Sequence, residues 1–188
     1  MVRSGLVLSR KKATDDTGIY YPLLNLRSVH PEGYIDKAEL DDYYASEPLS
    51  AEHVSHTGDI IIRLTAPYTA VLIDESTENM VISSNFVIVR VKDHQILPEY
   101  LFWLLNTKKV RYGIYENSTS NMLGAVKARY FTEFPIIMIP LEEQRQIAAM
   151  NRLAKREAVL LRQLAEEKEK YYTAIIEKFQ REVRNHDK

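Results

Sequence analysis

There is no cysteine in this chain of 188 residues, and that absence removes disulfides, thiolate zinc sites, iron–sulfur clusters and cysteine nucleophiles together. It agrees with a reducing compartment. Glycine is scarce as well. The six stand at Gly5, Gly18, Gly33, Gly58, Gly113 and Gly124, too far apart to build a dinucleotide fingerprint or a phosphate-binding loop. No Gly-x-Ser-x-Gly elbow exists to activate a serine. No Asn-Pro dipeptide of the kind that amino-methyltransferases place beside their target base is present. Long apolar runs are missing too, and Met1-Val-Arg-Ser-Gly5 leads straight into the polar Ser9-Arg-Lys-Lys12. Neither a membrane span nor a signal segment is therefore expected, and the chain reads as cytoplasmic.

An excess of positive charge is also lacking. The formal net charge is −1, with 14 Lys+Arg against 17 Asp+Glu in residues 1–140 and 11 against 9 in residues 141–188. A dedicated nucleic-acid binder is usually clearly basic. Three local clusters survive the averaging: Arg10 with Lys11 and Lys12, Lys108 and Lys109 with Arg111, and Lys127 with Arg129. Each could reach phosphates, although solvated surface charge is the ordinary reading of any one of them.

Metal and nuclease signals are weak. His53 and His56 form a His-x-x-His pair beside Glu52 without a third ligand at a fitting spacing, so no metal is expected. The run Glu166-Glu-Lys168 matches the tail of a nuclease signature but lacks a paired upstream acid, and reads as a charge ladder on a helix. No cofactor is expected.

What is present is a hydrophobic fraction of 45%, enough for one ordinary domain with an appendage. The first part reads as short strands and loops with little helix until about residue 98. Tyr20-Tyr-Pro-Leu-Leu-Asn-Leu26 offers a β-rich run, and residues 29–35 carry Pro and Gly turn signals. In Gly58-Asp-Ile-Ile-Ile-Arg-Leu64 a turn precedes a β-branched run. Val71-Leu-Ile73 and the long run from Met80 to Val91 are further strands. Because these runs are nearly continuous, burial on both faces is expected. Leu97-Pro-Glu-Tyr-Leu-Phe-Trp-Leu-Leu-Asn106 changes to helical spacing, with Lys108 and Lys109 placed at its C-terminal end. Tyr112 to Asn121 reads as an exposed polar loop, and Phe134-Pro-Ile-Ile-Met-Ile-Pro140 as a last strand.

From Leu141 onward the pattern is one long charged helix. Leu153, Glu157, Leu160, Leu164, Lys168, Tyr171, Ile175 and Phe179 recur at three- and four-residue steps like a coiled-coil seam, interrupted by its two charges. Ala154, Leu161 and Ile176 widen the stripe. At about 1.5 Å per residue the helix would span roughly 60 Å. The fold class expected is α+β: residues 1–140 as a globular domain of mixed β-sheet and short helices, then residues 141–188 as a coiled-coil helix.

The segments Gly58-Asp-Ile-Ile-Ile-Arg63, Ser84-Asn-Phe-Val-Ile-Val-Arg90, Leu97 to Asn106, and Ile137-Met-Ile-Pro-Leu-Glu-Glu-Gln-Arg-Gln-Ile147 also carry a resemblance through their order and spacing. Together they resemble the DNA-specificity subunit of type I restriction–modification systems over nearly the whole chain. Such subunits usually carry two target-recognition domains and two long helices, and this sequence resembles a half-length form with one of each. The resemblance implies a non-catalytic protein. One head reads half of a split target in double-stranded DNA, and the helices pair antiparallel as a homodimer and dock methyltransferase subunits. An N6-adenine methyltransferase supplies the chemistry, and a separate restriction or motor subunit joins in systems that cleave.

Recognition residues in that family vary with the target, so candidates come from chemistry alone. Direct readout needs Arg, Lys, Asn, Gln, Ser or Thr on exposed loops. That selects Arg10, Lys11 and Lys12, then Arg63, Tyr68 and Thr69, then Ser118, Thr119, Ser120, Asn121 and Lys127. For Tyr68 a core position is as good a reading as stacking on DNA. For the partner helix the candidates are Leu153, Leu160, Leu164, Tyr171, Ile175 and Phe179. The competing reading is a truncated or regulatory fragment whose helix binds a methyltransferase or a full specificity subunit without reading DNA, and the acidic balance of residues 1–140 keeps it open.

Overall fold

The computed structural model describes residues 1–14, 17–118 and 125–186. Two compact units divide the chain, Met1–Arg145 and Gln146–Lys188. In the first lie strands β1 (Val2–Ser4), β2 (Ile19–Leu24), β3 (Asp41–Ala45), β4 (Ile60–Arg63), β5 (Ala70–Leu72), β6 (Val81–Ile82) and β7 (Phe86–Val89). Helices α1 (Pro98–Leu105), α2 (Lys108–Ser118) and α3 (Ala128–Thr132) follow, and α4 (Leu141–His186) begins in this unit and makes up the second. The class is a mixed α+β domain followed by a distinct long helix.

The strands form two sheets, one of four in the order β1-β7-β4-β5 and one of three in the order β3-β2-β6. The run Ile60-Ile61-Ile62 explains how they stack. Successive side chains of a strand point to opposite faces, so Ile60 and Ile62 enter a core with Val87, Leu101, Leu105, Ile114 and Phe131 beneath α1, α2 and α3. Ile61 and Ile88 face the other way, into a core with Leu24, Val29, Ile82 and Phe86. All three isoleucines are fully buried, as the unbroken apolar run implies. A third cluster, Leu6, Leu23, Tyr43, Ala45, Val54 and Val81, lines the three-stranded sheet.

Four sequence expectations need correction. The run from Met80 to Val91 is two strands, not one, because a turn closed by the Phe86 amide on the Ser83 carbonyl sends β6 and β7 into different sheets. Gly5 makes that crossing possible: a Cβ there would stand 2.1 Å from the Ser83 carbonyl oxygen. Residues 112–118 are helical, the C-terminal part of α2, whose buried residues are only Ile114 and Ser118, one turn apart. Two anchors on an otherwise polar helix leave almost no apolar period in the sequence. Lys108 and Lys109 accordingly occupy the first turn of α2, where the helix dipole disfavours cations. Residues 134–140 pair with no strand. Pro135 and Pro140 lack the donors a ladder needs, and the Ile137 carbonyl instead accepts the Tyr100 hydroxyl at 2.9 Å.

The first turn of α4 is fastened within the first unit by Gln144, a fully buried side chain. Its Oε1 accepts from the Leu97 amide at 2.9 Å, and its Nε2 donates to the carbonyls of Gln95 at 2.8 Å and Ile139 at 2.9 Å. A buried polar group with every partner in place fixes one geometry. Among the described side chains of the second unit nearly every one is exposed, including Leu153, Leu161, Tyr171 and Phe179.

Candidate nucleic-acid interface

The basic candidates lie at two ends of the three-stranded sheet. Arg10 closes a single 3-10 turn, Leu8–Arg10, and is exposed. Lys12 bridges Ala45 at the end of β3, and Lys11 pairs with Glu47. Because Ile19 also pairs with Ala45, this cluster sits beside the start of β2. Leu26 and Arg27 follow the opposite end of that strand, about 17 Å further along.

That second end is the better built of the two. Residues 25–36 form a loop held by Asn25, whose side-chain oxygen accepts from the amides of Arg27 and Ser28 at 2.8 and 2.9 Å. His30 and Tyr34 stack at 4.3 Å across the turn at Gly33, where φ of +83° favours glycine. The hairpin between β4 and β5 lies against this loop. Arg63 donates from Nε to the Thr65 hydroxyl at 3.0 Å and from Nη1 to the Leu26 carbonyl at 3.4 Å. Arg111, from α2, reaches the Pro31 carbonyl at 3.2 Å and the Asn106 side-chain oxygen at 2.5 Å. Burial holds its guanidinium below its ordinary range.

Other candidates prove internal. Tyr68 and Thr69 are buried, and Tyr68 takes the left-handed backbone at φ 55°. Its hydroxyl shares a hydrogen bond of 2.6 Å with the buried Ser118 hydroxyl, so of the two readings of Tyr68 the core position is the one seen. Thr69 Oγ1 donates to the Pro31 carbonyl at 3.5 Å. These three side chains shape the hairpin and present nothing to a groove. Thr119, Ser120 and Asn121 lie outside the described residues. Lys127 is exposed at the start of α3. Leu153, Leu160, Leu164, Tyr171, Ile175 and Phe179 are all exposed.

The His-x-x-His pair divides between tasks. His56 Nδ1 meets Arg90, which holds the buried Asp59 through Nε at 2.7 Å and Nη2 at 2.6 Å. That bond to Asp59 raises the Arg90 guanidinium above its ordinary range. Burial pushes His53 down. Among the described residues no three His, Asp or Glu side chains gather as metal ligands would. No described helix is long and apolar enough to cross a membrane.

Two functional positions are not singled out by sequence, Arg111 beyond its basic cluster and Gln144 at the start of α4, because most of their partners are main-chain groups that sequence does not reveal.

No family model and no curated protein matches the chain at the level of sequence. Solved structures do match. The HsdS subunit from Thermoanaerobacter tengcongensis is similar over 90% of this chain and 46% of its own length, with a TM-score of 0.63 and 19% identity. A chain from the structure described as the structural basis underlying complex assembly and conformational transition of the type I R-M system is similar over 88% of this chain and 45% of its own length, with the same TM-score and identity. The likeness is one of fold. This chain spans less than half the length of either.

Proposed function

We propose that this chain is a non-catalytic DNA-specificity module of a type I restriction–modification system. In this reading two copies pair through antiparallel α4 helices. The pair directs an N6-adenine methyltransferase to an interrupted palindrome in double-stranded DNA, and a motor–nuclease subunit joins where the system cleaves. The observation that carries the reading is the fold shared over 90% of this chain with an HsdS subunit. The exposed apolar stripe on α4 supports a partner helix, since contiguous apolar surface of that kind is rarely left in water. The two-fold relation of identical heads dictates the palindrome, because target symmetry mirrors protein symmetry.

The acidic balance of residues 1–140 favours a second reading, a fragment that binds a methyltransferase or a full specificity subunit through α4 without reading DNA. DNA binding with and without the cognate methyltransferase subunit separates them. The first reading expects weak, salt-sensitive binding by the chain alone and sequence-specific binding by the complex, because few basic residues release few counterions. A complex that assembles yet shows no sequence preference supports the second and refutes the first.

A further inference from the structure

We propose that Arg63 and Arg111 are phosphate anchors that fix the position of duplex DNA against the loop of residues 25–36, contributing affinity and register but no base readout. The proposal rests on the DNA-reading function above and names the residues of that interface. It starts from a contrast among the arginines. Arg3 pairs with Glu52, Arg27 with Asp41, Arg90 with Asp59, Arg129 with Glu133 and Arg145 with Glu142. Arg63 and Arg111 are partly buried and meet no carboxylate among the described residues. Each is held by one main-chain carbonyl and one neutral side-chain oxygen.

Taking a guanidinium partly out of water without a counter-charge is unfavourable. Here it is done twice around one loop, and Arg111 Nε is buried with no hydrogen-bond partner among the described residues. What the arrangement gains is order. A guanidinium already fixed by carbonyls loses little further freedom when it meets an anion, and its planar fork suits a phosphate. Among the described residues Nη2 of Arg63 and Nη1 of Arg111 meet no acceptor, which leaves their donors for that purpose. The bonds to Leu26 and Pro31 place both cations on the same loop, whose stacked His30 and Tyr34 are partly exposed. Lys108 and Lys109, exposed on the turn that carries Arg111, add long-range attraction. Base readout is the weaker role, since a donor already engaged with main chain cannot swing to follow a base edge.

Fluorescence anisotropy of the full chain on a random-sequence duplex, over a range of salt concentrations, tests this. Each phosphate contact contributes about 0.9 to the slope of log affinity against log salt. Arg63→Gln and Arg111→Gln are each expected to lower that slope by about 0.9, and the Lys variants to keep most of it. A merely structural arginine would lower affinity through a loosened loop and leave the slope unchanged, which overturns the proposal even if a variant is destabilised. In the methyltransferase complex, the two Gln variants should weaken target and scrambled duplexes by the same factor. A changed ratio between the duplexes would make these residues base readers and overturn the assignment. Wild-type binding with an unchanged slope in the variants removes the anchors but leaves the DNA-reading function standing. Absence of DNA binding by the wild-type complex removes both.

Discussion

Gln144→Ala removes one side chain that holds three backbone groups, and its cost can be worked from the geometry. The Leu97 amide and the Gln95 and Ile139 carbonyls lose partners at 2.8–2.9 Å around a side chain that is itself fully buried. A net hydrogen bond is worth about 1 kcal/mol, and a buried group left bare costs more, so the loss is about 3 kcal/mol once water enters the space. For a domain of this size that is roughly 6–12 °C in Tm. Trp103, the only tryptophan, sits in α1 just beyond the pinned Leu97 and reports the transition by fluorescence without interference from α4. Gln144→Glu sharpens the test. It keeps the acceptor for Leu97 but turns an oxygen towards two carbonyls. The folded state then favours the protonated acid and raises its pKa, so the stability lost at neutral pH returns as pH falls towards about 4. Wild-type melting of both variants at neutral pH would refute the fastening role.

Three further outcomes follow from named contacts. Leu160 and Leu164 are 47% and 52% exposed; if α4 pairs with a second copy, replacing both by Asp forfeits about 1 kcal/mol at each of the four sites in the dimer, roughly a thousandfold in Kd. Sedimentation should show monomer with the Trp103 transition intact, whereas an unchanged dimer would place the interface elsewhere. Arg90→Met takes the guanidinium from the buried Asp59, leaving its carboxylate only the His56 amide at 3.0 Å and the His56 ring nearby, and is expected to cost about 3 kcal/mol in urea unfolding. Asp74 caps the turn Glu75–Thr77, and its bond from the Ser76 hydroxyl holds its carboxyl below the usual range. The cap's contribution, about 1 kcal/mol, is present above the unfolded Asp pKa of about 3.9 and lost as pH falls below it, so Asp74→Ala should flatten stability against pH there.

The elements legible in the sequence were those whose own residues carry the period. Ile60 to Ile62 announced a strand buried on both faces, and Tyr100 to Leu105 a helix, because packing on the core selects for those spacings. β3 escaped notice since Asp41 and Asp42 stand in it, an acidic start that only its pairing with β2 makes a strand. The exchange of sheets between β6 and β7 depends on Gly5, nearly eighty residues away, and α2 on Ile114 and Ser118 alone. The site followed the same rule. Exposed Arg10, Lys12 and Lys127 were recognisable as surface charge. The inward turn of Thr69 and Ser118 was not, and that of Tyr68 was one of two equal readings, because the shape of the hairpin comes from contacts distant in sequence.

Mapping N6-methyladenine reads out whether identical copies of this chain point a methyltransferase at DNA. Cells lacking other specificity subunits would express this chain with its cognate methyltransferase. Methylation is expected only at an interrupted palindrome and is lost when Leu160 and Leu164 are both replaced by Asp. An asymmetric bipartite motif would contradict the pairing of two identical heads, and methylation without sequence preference would contradict DNA reading itself.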